Sequence, residues 1–147
     1  MLALTPFLLL KAESPVQVGC NSDDSIVRLG SSRYYLRLSN DLTISEAKGK
    51  EGQLGYNIIP KDTASHLFGF IQIKRGNPVG GPSRSFDPKE YINANLLGKE
   101  IIWMVEEPGP GYFFGRMSQD KISAWISSND RNGLERLIKL FSTLTRK

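Results

Sequence analysis

Residues 101–117 read Ile-Ile-Trp-Met-Val-Glu-Glu-Pro-Gly-Pro-Gly-Tyr-Phe-Phe-Gly-Arg-Met. Two apolar, aromatic-rich runs, 101–107 and 112–117, flank Pro108-Gly109-Pro110-Gly111, and that arrangement predicts two strands of a hairpin joined by a four-residue turn. Residues 122–127 follow at once with the same character and add a third strand. Beyond them Leu134, Leu137, Ile138, Phe141 and Leu144 recur at the helical period on a single stripe, which predicts an amphipathic helix over 130–144 with one buried face. Ser128 or Asn129 can cap it, and Asp130 suits its positive end. Gly133, in its first turn, gives up about 1 kcal/mol of helix propensity relative to alanine, so tertiary packing must hold that end.

The chain before the hairpin reads mostly as strands. Residues 67–74, LFGFIQIK, are apolar on both faces and predict an interior strand, with Gly69 marking a bulge or a close neighbour. Residues 54–59 and the stretch around Ile44 predict two more, and Pro60 limits the first of these at its end. Residues 33–39 alternate, with Tyr34, Leu36 and Leu38 on one face and Arg33, Tyr35 and Arg37 on the other, which is the signature of a half-buried strand. Residues 26–29 and 16–20 are shorter candidates separated by turn residues. Trp103 and Trp125 lie within apolar runs and are expected in the core.

One helix is expected among these strands. Asp87-Pro88-Lys89-Glu90 carries an N-terminal helix signature, and Gly98 a stop, so 88–97 is expected as a short helix burying Tyr91, Ile92 and Leu96. The expected fold class is therefore α+β: a curved antiparallel sheet of about 7–8 strands, one short inserted helix and a C-terminal helix, in one domain over 1–147. A roll, or an open sheet packed on two helices, fits that order.

Composition bounds the chemistry. The chain has 147 residues, 39% hydrophobic and 23% charged, which is enough apolar content for a core and too little net charge for a disordered chain. Cys20 and His66 are the only residues of their types, so no intramolecular disulfide, CxxC pair or site needing two imidazoles can form, and no metal or cofactor is expected. The formal charge of +4 is spread along the sequence rather than gathered in a run, which does not favour nucleic acid as a partner. Residues 2–10, LALTPFLLL, are interrupted by Pro6 and followed by Lys11 and Glu13, short of the roughly 20 apolar residues a bilayer span needs. They are expected to pack on the body as an apolar arm. The expected protein is soluble and cytoplasmic, or periplasmic or secreted if the chain begins after a removed signal.

Three functional readings follow, of different classes. The first rests on residues 76–85, ten residues with three Gly and two Pro, which predict a loop. Long irregular connections are uncommon in compact domains and often functional. Its prolines reduce the ordering cost of binding, while Arg75, Asn77, Ser83, Arg84, Ser85 and Phe86 supply donors and an apolar anchor. This reading makes the chain a non-enzymatic binding domain whose partner is another protein, an enzyme or toxin. An inhibitor or toxin-neutralising immunity protein that occludes a cleft is its most concrete form. The second reading is a roll-type module that binds an anionic head group or phosphopeptide through Arg28, Arg33, Arg37 and Lys74. The third is a small thiol hydrolase pairing Cys20 with His66, oriented by Asp62, Asn57 or Asp23. Glu106-Glu107 do not add an acid–base pair, because neighbours on a strand face opposite sides.

Overall fold

In the computed structural model, residues 24–48, 53–62, 64, 66–74 and 87–147 are described. They form ten strands and one helix: β1 Ser25–Arg28, β2 Tyr34–Leu38, β3 Leu42–Lys48, β4 Gln53–Pro60, β5 Leu67–Lys74, β6 Glu90–Leu96, β7 Lys99–Gly109, β8 Tyr112–Gln119, β9 Ile122–Ser128, α1 Arg131–Phe141 and β10 Thr145–Arg146. The α+β class expected from the sequence is correct. The N-terminal arm over 2–10 and the strand expected over 16–20 lie outside the described residues.

Seven strands make one antiparallel sheet in the order β3-β4-β5-β9-β8-β7-β6. It consists of two meanders, β3 to β5 and β6 to β9, sewn together by β5 and β9. That pairing runs from Ile122 opposite Ile73 to Ser128 opposite Leu67. The sheet is open, with β3 and β6 at its edges. A second sheet has the order β10-β2-β1.

One face of the large sheet carries the core. Tyr56, Ile58, Ile71, Ile126, Met117, Trp103, Val105 and Leu96 all turn inward from their strands and are nearly inaccessible to solvent. Helix α1 lies over them because its stripe of Leu134, Leu137, Ile138 and Phe141 needs cover. The helix approaches closely at Gly69 of β5 and Gly115 of β8, which flank Ile126 of β9 in register. A Cβ on Gly69 would stand 3.2 Å from Phe141 Cζ, so the expected close neighbour at Gly69 is the helix itself. Phe141 also stacks on Trp103 with ring centroids 5.9 Å apart. Burial of each such side chain contributes about 1.5–3 kcal/mol.

The small sheet completes the core from the other side with Leu29, Leu36 and Leu38. The face split along β2 is the expected one, with Leu36 and Leu38 buried and Tyr34 packed against the core. Polar contacts fasten this sheet to the end of the helix: Arg37 N–H donates to Thr143 Oγ1 at 3.0 Å, and Arg136 donates to Ser39 Oγ at 2.8 Å and to Asp41. The Arg136 guanidinium holds the Asp41 carboxyl below the usual carboxylate range.

Three expectations need correction. The helix expected over 88–97 is strand β6, paired residue for residue with β7 from Glu90 opposite Val105 to Leu96 opposite Lys99. Ile92, Ala94 and Leu96 face the core while Tyr91, Asn93 and Asn95 face outward, so the true period is two. The apparent capping residues serve elsewhere: the Asp87 carboxylate pairs with Lys89 at 2.9 Å, and Glu90 reaches Arg131 of α1. The turn of the hairpin is shorter than expected, because β7 continues to Gly109 across an irregularity between Glu106 and Gly109, leaving Pro110-Gly111 to reverse the chain. Finally, Trp103 is fully buried as expected, but Trp125 stands on the opposite face of the sheet, half-buried.

The C-terminal helix runs over Arg131–Phe141, within the expected 130–144. Asp130 is its N-cap, accepting from Gly133 N–H at 2.6 Å. Leu144 remains buried in the turn beyond the helix.

Candidate functional site

The face of the large sheet opposite α1 is built from the odd or even positions that the core does not use. Among the described residues, five of the seven exposed large hydrophobic side chains stand on it: Ile59 of β4, Phe68 of β5, Tyr91 of β6, Ile102 of β7 and Tyr112 of β8. Half-buried Phe70, Trp125, Phe114 and Met104 lie between them. Register places Phe70 opposite Trp125, Trp125 opposite Arg116 and Arg116 opposite Met104, so these four form one row across the middle of the sheet. The rings of Phe70 and Trp125 meet at 5.1 Å between centroids with a tilt of 33°. Phe70 also lies across Gly55 of β4, where a Cβ would come within 2.8 Å of its ring. The Phe70–Trp125 end of the row is therefore a packed aromatic platform. Large exposed apolar residues gathered on one face are a feature of interaction surfaces.

The aromatics are legible in the sequence, but the platform is not. Among Tyr112, Phe113 and Phe114 the strand sends Phe113 inward, 6.0 Å beneath the Arg131 guanidinium, and the other two outward. The signal was present in the alternation of 67–74, where Phe68, Phe70 and Gln72 share one face, but a run apolar on both faces does not say which face a helix covers.

A second concavity, of about 1160 Å³, lies at the end of the molecule where the β6–β7 turn, the β8–β9 turn and β10 converge. Leu97 and Asp120 stand in these turns with φ of 51° and 50°. A smaller hollow of about 230 Å³ lies beside His66 at the start of α1. There Asn129 N–H donates to the His66 carbonyl at 3.3 Å, and the Asp130 carboxylate already occupies the helix end.

The binding residues expected from the sequence, Arg75, Asn77, Ser83, Arg84, Ser85 and Phe86, all lie outside the described residues, between Lys74 at the end of β5 and Asp87 before β6. Cys20 lies outside them too, and His66 is exposed. The arginines of the anion-binding reading belong to the small sheet and its turn, whereas Lys74 ends β5 of the large one. Two of those arginines are engaged with carbonyl groups: Arg28 with Ser32 at 2.7 Å and Arg33 with Lys147 at 2.7 Å.

The carboxylates have structural partners. Glu106 is buried and accepts from Asp87 N–H at 3.3 Å, while Glu107 is exposed and accepts from Gly111 N–H at 2.8 Å, bracing the turn. Arg131 binds both oxygens of Glu90 at 2.6 Å and Glu135 at 2.9 Å. That hydrogen bonding lowers the Glu90 pKa below the ordinary carboxylate range and raises that of Arg131. Among the described residues no three His, Cys, Asp or Glu side chains gather as metal ligands, and no helix is long and apolar enough to cross a membrane. Comparison of the chain with protein-family models, with curated proteins and with solved structures finds no match.

Proposed function

We propose that this chain is a non-enzymatic protein-binding domain whose contact surface is the open face of the large sheet. The observation that carries the reading is the concentration of Phe68, Tyr91, Ile102 and Tyr112 around the Phe70–Trp125 row. Trp, Tyr, Phe, Met and Arg are the residue types enriched at interface centres, and lysine and carboxylates are depleted there. The middle row of this face has that composition: Phe70, Trp125, Arg116 and Met104, with Tyr91 at its edge. The partner it fits is a folded protein that presents an apolar, weakly charged surface.

Inhibition of an enzyme or neutralisation of a toxin is the concrete form of this reading, with residues 75–86 as a rival contact. Two variants separate the surfaces. In one, Phe68→Ser, Tyr91→Ser and Ile102→Thr are combined; in the other, residues 80–84 become a Gly-Ser link. The tagged chain captures a partner from its native source, and the purified pair is then titrated calorimetrically. With circular dichroism and melting little changed, the triple variant should lose at least about 2 kcal/mol of binding free energy. Binding should also persist at high salt, since apolar contact is not screened. Retention of full affinity by the triple variant overturns the open face as the site, and loss in the linker variant alone assigns the contact to the loop.

A further inference from the structure

The concavity where β10 meets the β6–β7 and β8–β9 turns is distinct from the open face, and its chemistry points to a different ligand. Its floor is apolar, made by Leu97, Ile122 and Leu144. Its walls carry Lys99, Lys121 and Arg146 against one carboxylate, Asp120, which lies 3.6 Å from Lys99. Lys121 and Arg146 have no carboxylate partner among the described residues, so the groove is locally cationic. In its wall the Oε1 atom of Gln119 is buried and receives no hydrogen bond from the described residues. A buried amide oxygen without a donor is expensive to leave unmade, and Gln119 is the unsatisfied acceptor of this wall.

The backbone of β10 supplies a second set of groups. Lys147 N–H donates to the Arg33 carbonyl at 2.9 Å, and Arg146 stands opposite Tyr34. Bonded and non-bonded pairs alternate along an antiparallel ladder, so the N–H and C=O of Arg146 point away from β2 toward an edge of the small sheet that has no further strand among the described residues. The Tyr34 carbonyl fits this alternation by accepting from Leu29 on β1 instead. At about 1160 Å³ the groove exceeds the roughly 300–1,000 Å³ of small-molecule pockets.

We propose that this groove binds an extended acidic peptide segment, which adds as a strand beside β10. Its backbone pairs with Arg146 and donates an N–H to Gln119, its carboxylates face Lys121 and Arg146, and its alternate apolar side chains rest on Leu97 and Ile122. Strand addition supplies affinity through main-chain hydrogen bonds, and the groove supplies selectivity.

The probe is a short fluorescein-labelled peptide alternating valine and glutamate, titrated with the whole chain and followed by anisotropy. It should bind saturably, and Arg146 N–H should gain protection from hydrogen exchange on binding. Combined Lys121→Glu and Arg146→Glu, both on exposed side chains, should weaken binding about tenfold or more while leaving the melting temperature in place. A probe with prolines at alternate positions, unable to donate to an edge, should not bind. The open-face triple variant should bind the probe as the unaltered chain does, so failure of one site does not imply failure of the other. Equal binding of a valine–lysine peptide, tolerance of the prolines, or indifference to the charge reversal each overturns the proposal.

Discussion

Gly133 sits in the first turn of α1, where helix propensity alone favours alanine by about 1 kcal/mol. A Cβ there would run into Ser128 Oγ and come within 2.8 Å of Leu67 Cδ1. Overpacking of this kind opposes the propensity gain and exceeds it, so Gly133→Ala should destabilise the protein by about 1–2 kcal/mol, read as a lower urea midpoint at unchanged slope. A stabilised variant would show that the helix start has room to shift. The sequence made the deficit at Gly133 visible but not its cause, because Ser128 and Leu67 approach only in three dimensions. Trp125 teaches a similar lesson. It lies in a run where Ala124 and Ile126 are buried, and nothing in residues 122–127 alone says that helix α1 covers those two and leaves the indole on the other face.

At the scale of elements, β6 shows local signals overruled by pairing. Asp87-Pro88-Lys89-Glu90 resembles a helix start, yet a short helix there is marginal on its own. The alternative offers a full ladder to β7 and cover for Ile92, Ala94 and Leu96. The period of two was legible in Tyr91, Asn93 and Asn95 all being suited to solvent, but the capping motif outweighed it. The clamp between Glu90 and Arg131 then ties this edge strand to α1. The carboxyl is held below its ordinary pKa, so its contribution is complete above the unfolded value and disappears as pH falls through the folded one. The side chains are 38% and 43% exposed, and solvent screening limits the pair to about 0.5–1 kcal/mol. Glu90→Gln should therefore lower stability by that amount at neutral pH and by much less in acid, measured by urea unfolding at both pH values. An equal loss at both would assign the effect to packing rather than charge.

At the scale of the whole molecule, strands paired on both sides and covered by α1 should open last. Hydrogen exchange should be slowest in β5, β9 and β8, and fastest in β1 and the two-residue β10. Protection of β1 equal to that of β9 would contradict this ordering. The antiparallel, α+β character was legible because alternation and the terminal amphipathic stripe are local patterns. The division into two sheets and the location of the aromatic platform were not, since both depend on which distant strands meet.

The seam between β5 and β9 joins residues about 50 to 60 positions apart, and every route to the finished sheet must cross it. The second strand of the seam and the helix that roofs it follow β5 in the chain only after β6, β7 and β8. During translation β3, β4 and β5 emerge with Tyr56, Ile58 and Ile71 ready but before β9 and α1 exist to cover them. The first meander must therefore wait as a bare, adhesive hairpin assembly until residues 122–141 leave the ribosome, and long-range closure of this sort is slow. Until residues 122–141 follow, the apolar face of that meander is the part of the nascent chain most open to misassociation.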